Sequence, residues 1–318
     1  MTKLKVKKIF ETDFDLIISF LQNNFSSPTH WPDWNSVVSK FYKTDFFYFC
    51  AYEDDELVGL CPVHKVKKGL ITDYNSGQFH FIPFGGWIYS KEIEIESDDL
   101  QIGGFSSFQS FCLPSLPEFG TIIKNNNGRN FKTLIIDLSK DLDLIWNNDV
   151  DSKRRNMVRK AEKNNVIIDK NPLDFASFYK IYKQASIRCN LDLLDENYFK
   201  ELFYGSKNIG FEIITAKKED VILSNVAIVY DKSYSIYWLG NNTDDIPNLG
   251  QGELLQWEAI KRMKDRGCSY YDLCYIEKER LPHIYKFKSG FSKNEVNVSL
   301  VNTRKTPYRI MNRITGWF

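Results

Sequence analysis

Two stretches of this chain carry the same succession of signals, and that repetition restricts the fold more than any single motif does. FFYFCAYEDDELVGLCPVHKVKKG, residues 46–69, reads as an apolar strand, a charged turn at Glu53 to Glu56, a second strand and a polar turn at Lys67 to Gly69. FEIITAKKEDVILSNVAIVYDKSYSIYWLG, residues 211–240, repeats the order, with turns at Lys217 to Asp220 and Asp231 to Ser233. Both are rich in Val, Ile, Phe and Tyr, as strands of a meander are. The likeness lies in pattern and not in residue identity, which agrees with a duplicated unit.

Helical periodicity surrounds both meanders. It predicts helices over 13–24, 152–164, 173–187, 196–203 and 252–266, the last with Leu255, Ala259 and Met263 at i, i+4 and i+8 and Gly267 as its C′ residue. Helices alternating with mostly antiparallel strands indicate α/β or α+β layers rather than a bundle or a sandwich. The Asn-rich stretch KNNNGRN, residues 124–130, is the best break. It predicts an N-terminal domain over 1–128 and a C-terminal domain over 129–318, and 318 residues at 43% hydrophobic composition suffice for two cores.

The balance of 42 basic and 41 acidic residues excludes a general polyanion binder, so any basic function has to be local. One place qualifies. DSKRRNMVRKAEK, residues 151–163, sets six cations against two acids. On a helix, Met157, Val158 and Ala161 form a narrow apolar stripe, and Arg155, Arg159 and Lys163 stand at i, i+4 and i+8 on its flank. A solvated face and a phosphate site both fit this pattern. A second anion signal is Gly250 and Gly252 just before the helix over 252–266, where exposed N–H groups and the helix dipole favour negative charge. A flexible strand-to-helix turn reads the same way. The third feature is CSYYDLCYIEKERLPHIYKFKSGF, residues 268–291. Tyr270, Asp272 and Cys274 alternate with Tyr271, Leu273 and Tyr275 as in a strand; IYKFKSGF, read as extended, puts Lys286 and Lys288 on one face, with Phe287 and Phe291 entering the core.

Six cysteines without C-x-x-C pairing, and four scattered histidines, argue for reduced thiols and against a zinc site or a Cys/His nucleophile pair. The N-terminal segment is broken by Glu11, Asp13 and Asp15 and does not read as a signal peptide, and no apolar run approaches a membrane span. A cytoplasmic protein is expected.

RRNMVRKAEKNNVII, FYKIYKQASIR, ELLQWEAIKRMKDRGCSYYDL and IYKFKSGF, in this order over about 190 residues, together resemble the second domain of Fem-type (FemABX) aminoacyltransferases within the GNAT superfamily. The resemblance implies two tandem GNAT-like domains, each a mostly antiparallel mixed sheet flanked by helices. It also implies transfer of an aminoacyl or acyl group from an activated donor to an amine of a cell-envelope precursor. The donor, aminoacyl-tRNA or acyl-CoA, would be a co-substrate, with no tightly bound cofactor and no metal. The partners implied are tRNA and a nucleotide- or lipid-linked glycan or peptide acceptor, and a monomer is expected.

By position in the family's motifs, Lys288 is the cation near the reacting carbonyl or acceptor phosphate, unless it is a surface ammonium. Asp272 orients the amine or accepts a proton, unless it caps a turn. Arg188 matches a position that binds acceptor diphosphate. Gly250, Gly252, Trp238 and Tyr285 are assigned to donor binding, and Arg154, Arg155, Arg159 and Lys163 to a polyphosphate, with Arg154 alternatively paired to a buried carboxylate. Two features depart from the pattern. Pro247 stands where acyl-CoA-binding members carry Gln or Arg, and the helical-hairpin arm that some members insert after the basic helix is missing, since Asn164 leads directly into VIIDKNP. The C-terminal TPYRIMNRITGWF would as a helix bring Met311, Ile314, Trp317 and Phe318 into one arc beside Arg309 and Arg313, for docking on its own domain or for peripheral membrane contact through 307–318. Two alternative functions remain: an acyl-CoA-dependent N-acyltransferase acting on a surface-polysaccharide amino sugar, and a non-catalytic nucleic-acid-binding relative.

Overall fold

A computed structural model describes residues 4–78, 80–91, 102–119, 130–169, 175–188, 190–243, 246–275, 278–304 and 307–310. Residues 124–129 of the expected break, Cys189 and the tail beyond 310 lie outside them.

The chain divides into two compact units. In the first, β1 (Lys5–Ile9), α1 (Phe14–Asn23) and α2 (Pro32–Tyr42) precede the meander of β2 (Asp45–Glu53), β3 (Glu56–Lys68) and β4 (Ile71–Ser76), followed by β5 (Ile88–Tyr89) and β6 (Ser106–Pro114). Asp54 and Asp55, both at positive φ, close the β2–β3 hairpin in the conformation that a two-residue turn requires. The meander is antiparallel and β4 pairs β6 in parallel. Helix α2 is not signalled by apolar periodicity. Its start is set by Pro32 in the first turn and its end by Lys43 at φ 52.

The second unit contains β7 (Asn130–Asp137), a turn of helix α3 (Leu142–Leu144) running into a π-turn over Ile145–Asp149, and α4 (Ser152–Lys163). Then come β8 (Ile167–Ile168), α5 (Phe175–Arg188), α6 (Glu196–Gly205) and the meander of β9 (Gly210–Lys218), β10 (Val221–Tyr230) and β11 (Tyr234–Asn242). Helix α7 (Gln251–Asp265), β12 (Tyr270–Asp272) and α8 (Pro282–Lys288) complete it. The strand order is β7-β12-β11-β10-β9-β8, mixed but mostly antiparallel, with β11 and β12 parallel. Val158 and Ala161 of α4 and Leu255, Ala259, Ile260 and Met263 of α7 share one core with Val226 and Ile228 of β10 and Tyr271 of β12.

Two expectations need correction. The segment IYKFKSGF is not extended: Pro282 opens α8 there, which exposes Lys286 and turns Lys288 inward. The C-terminal unit does not run to 318 either. Strand β13 (Glu295–Arg304) pairs antiparallel with β6 from Val298 to Arg304, so this strand groups with the first unit, and the second comprises 133–295. Tyr308 donates a hydrogen bond to Asp73 at 2.8 Å, and the apolar arc expected from Met311 to Phe318 lies outside the described residues.

Candidate active site

Strands β11 and β12 are in register only from Tyr234–Tyr270 to Ile236–Asp272. Beyond Ile236, β11 continues to Asn242 paired with β10, and a bulge places Trp238 between the Ile228–Tyr237 and Ala227–Leu239 pairs. On its other side β12 stays with β7, where the Leu273 N–H reaches the Leu134 carbonyl at 2.9 Å. Two parallel strands thus part after three residues, and a bulge re-aims the side chains along the gap. Polar groups collect where they diverge.

Asp272, fully buried at the end of β12, accepts hydrogen bonds from the Tyr234 hydroxyl at 2.7 Å, the Cys274 N–H at 2.7 Å and the Thr133 hydroxyl. Burial pushes its carboxyl up to about 6, while those donors and the Lys288 ammonium pull the other way. Cys274 sits at φ 62, a left-handed conformation that a non-glycine residue adopts only when its surroundings enforce it. Here both of its peptide groups are held: the N–H by Asp272, the carbonyl by Lys288 Nζ at 3.3 Å. Lys288 is only 7% exposed, and its Nζ lies 5.2 Å from the centroid of the half-buried Tyr237 ring. Burial lowers the pKa of this lysine, against the Coulombic influence of Cys274 and Asp272. Lys288 and Asp272 therefore meet across one strained residue, and Asp272 has the turn-capping geometry as well as a raised pKa.

The assigned donor-binding residues separate. Gly250 has φ +94, and a Cβ on it would lie 2.1 Å from the Met157 carbonyl oxygen, so only glycine permits this approach of α7 to α4. Its N–H donates to Asn248 Oδ1 at 2.9 Å, and the Leu249 N–H donates to Gln251 Oε1 at 2.8 Å. Two amides of the expected phosphate loop are thus occupied by the loop's own side chains. Gly252 follows in the first turn of α7, where an added Cβ would meet only the Phe287 ring at an ordinary 3.7 Å. Trp238 packs 5.3 Å from Phe199 and 6.0 Å from Phe211 in the aromatic cluster beneath α6, and Tyr285 donates its hydroxyl to Glu295.

The basic helix needs the largest revision. Arg154 is buried: Nη1 meets Glu253 Oε1 at 2.7 Å, Nη2 donates to the Lys286 carbonyl at 2.8 Å, and the guanidinium lies 5.0 Å from the Phe287 ring centroid. Arg155 Nη1 caps the π-turn through the carbonyls of Trp146, Asn147 and Val150 at 3.0, 3.0 and 2.6 Å. Each is engaged by acceptors that the fold itself creates. Arg159 stays near the surface beside Asn156 and the Trp146 ring, Lys163 is exposed, and exposed Arg188 donates to the Asn242 carbonyl at 3.2 Å. Three participants escaped sequence reasoning: Cys274, Tyr237 and Gln256. The one available signal was Gln256, a polar residue within the apolar face LLQWEAI. Among the described residues no group of three His, Cys, Asp or Glu is placed to hold a metal, and no helix is long and apolar enough to cross a membrane.

Residues 149–288, which contain Tyr237, Asp272, Cys274 and Lys288, match the family model for an acetyltransferase (GNAT) domain. The chain is similar in structure to FemX, with a TM-score of 0.65 and 11% identity over 97% of this chain and 99% of that one. It is also similar to the C-terminal domain of a putative lysylphosphatidylglycerol synthetase from Agrobacterium fabrum (TM-score 0.57, 10% identity, 96% of each chain). A tandem GNAT protein from the clavulanic acid biosynthesis pathway aligns at TM-score 0.52 with 10% identity, over 96% of this chain and 99% of the other. No curated protein matches the sequence. The matched domain is that of an acyltransferase. Residues 149–288 therefore form a GNAT-type domain, and the fold of the whole chain is similar to that of FemX.

Proposed function

We propose that this protein transfers an aminoacyl group from an activated donor to an amine of a cell-envelope precursor, with the β11–β12 fork as the reacting centre. The observation that carries the reading is Lys288, an ammonium buried at the fork within a GNAT-type domain. A cation held out of water is worth far more at a developing oxyanion than a solvated one, and its preorganisation avoids a reorganisation cost. In the reaction the amine nitrogen bonds to the acyl carbon and the carbonyl electron pair moves onto oxygen beside Lys288. Collapse then breaks the bond to the departing ester oxygen, which takes up the proton shed by the amine. No covalent enzyme intermediate is needed, because positioning and charge stabilisation supply the acceleration. Asp272 serves this centre by fixing Cys274, and so the seat of Lys288; the exposed Arg159, Lys163 and Arg188 are the cations left for donor or acceptor phosphates.

The occupied amides of Leu249 and Gly250, together with Pro247, favour aminoacyl-tRNA over acyl-CoA, since a CoA diphosphate would have to displace two internal hydrogen bonds. The match to an acetyltransferase domain favours the acyl-CoA reading instead. Filter binding of a mixed tRNA pool, charged and uncharged, beside acetyl-CoA separates the two. Preference for charged tRNA is the expected result, saturable binding of acetyl-CoA alone would move the donor to acyl-CoA, and binding of neither would contradict the reading.

A further inference from the structure

Gln256 stands in the second turn of α7, 1% exposed, between the core residues Leu255 and Ala259. Its Oε1 accepts a hydrogen bond from the buried Tyr271 hydroxyl at 3.1 Å, and Tyr271 directly precedes Asp272 on β12. Its Nε2 has no hydrogen-bond partner. Leaving a buried amide donor unsatisfied costs about 1–3 kcal/mol, and a Leu or Met of similar volume would avoid that penalty. The carboxamide also faces the Tyr237 phenol. That ring is pinned along β11: a Cβ on Gly240 would lie 1.9 Å from its hydroxyl oxygen, so glycine there is what makes room for it. The same ring carries Lys288 Nζ 5.2 Å from its centroid. One aromatic ring is thus flanked by a buried ammonium and by an amide whose oxygen is tethered to Tyr271 and whose Nε2 faces the Tyr237 hydroxyl.

We propose that Gln256 is a second donor of the reacting centre, its Nε2 directed at the carbonyl oxygen of the bound acyl group, where it shares with Lys288 the negative charge that gathers there. This inference rests on the acyl-transfer reading. Attack of the amine nitrogen on the acyl carbon places the displaced electron pair on that oxygen, and the pair returns as the ester C–O bond breaks, with the amine proton ending on the departing oxygen. Gln256 gives up no proton in this cycle. It strengthens one hydrogen bond as charge builds, and Tyr271 keeps the amide from turning its oxygen toward the charge.

The test is steady-state transfer from a radiolabelled, charged tRNA pool, with glucosamine and a lysine-containing tripeptide as amine probes, for wild type, Gln256→Leu, Gln256→Glu and Lys288→Ala. Gln256→Leu should lower kcat about 100-fold, the effect typical of losing one oxyanion donor. Its donor KM should stay within about twofold and its melting temperature should change little, because the unsatisfied amide donor is removed while the buried Tyr271 hydroxyl loses its acceptor. Gln256→Glu, which keeps the acceptor for Tyr271 and lacks the donor, should fail likewise. A wild-type kcat in Gln256→Leu beside an inactive Lys288→Ala would overturn the role of Gln256 and leave the acyl-transfer reading standing. No transfer by the wild type would overturn both. As a readout apart from turnover, the side-chain amide signals of Gln256 in 15N-labelled protein should shift on adding the charged tRNA pool, and unmoved signals would count against the proposal.

Discussion

Asp272 was recognisable in the sequence as a strand-end carboxylate, but its partners were not, because Thr133 lies 139 residues away and meets it only through the pairing of β7 with β12. Its folded pKa of about 6 exceeds the unfolded value, so the native state holds the extra proton between about pH 4 and 6. Stability from this group is therefore present at low pH and is lost as pH rises through that window, by about 3 kcal/mol at most. Asp272→Asn, which keeps an oxygen for the Cys274 N–H, should abolish the loss. Thermal melts from pH 4 to 7 should show wild type declining relative to the variant, and parallel curves would contradict the assigned burial. Lys288 was legible as a motif position, whereas its burial was not: only the helical turn begun by Pro282 aims it inward.

At the scale of elements, the meanders and five of the helices followed from apolar periodicity to within about two residues. Three helices of the described residues did not, and of these α3 is a single turn. Helix α2 is introduced by a proline and not by its apolar pattern, and α8 carries aromatic and β-branched residues that read equally well as a strand. The cations of α4 divide by angle around that helix, which no count of charge reveals. Arg154 is tied to Glu253 on α7 across a boundary only 9% and 6% exposed at the two side chains. Arg154→Ala should therefore leave a buried carboxylate unpaired and cost about 3–5 kcal/mol. Arg159→Ala should change stability by less than about 0.5 kcal/mol while weakening any polyphosphate binding. Chemical denaturation of the two variants checks the contrast, and equal losses would mean that α4 does not dock through Arg154.

Across the whole molecule the two units respond to acid in opposite ways. In the first, His30 donates from Nε2 to the Gly86 carbonyl at 2.9 Å, and His64 bridges Thr44 at 2.9 Å and Asn35 at 3.0 Å. Burial depresses their pKa values to about 4 and about 3, with His80 adding to the effect on His64. Histidines held neutral stabilise the fold above the unfolded pKa, and that stability is lost as pH falls from about 6.5 through the folded values, by up to about 3–5 kcal/mol each. The second unit meanwhile gains from protonation of Asp272. Hydrogen exchange at pH 5 against pH 7.5 should show amides of β2, β3 and α2 losing protection ahead of those of β10 and α7, and the reverse order would refute this division.

The claim that the fork of β11 and β12 performs acyl transfer is tested most directly by following labelled amino acid from charged tRNA to an amine acceptor, with wild type and Lys288→Ala compared at equal folded concentration. The account predicts amide-linked label on the acceptor with wild type and a rate at least about 100-fold lower with Lys288→Ala. Transfer at the same rate by both proteins would contradict it.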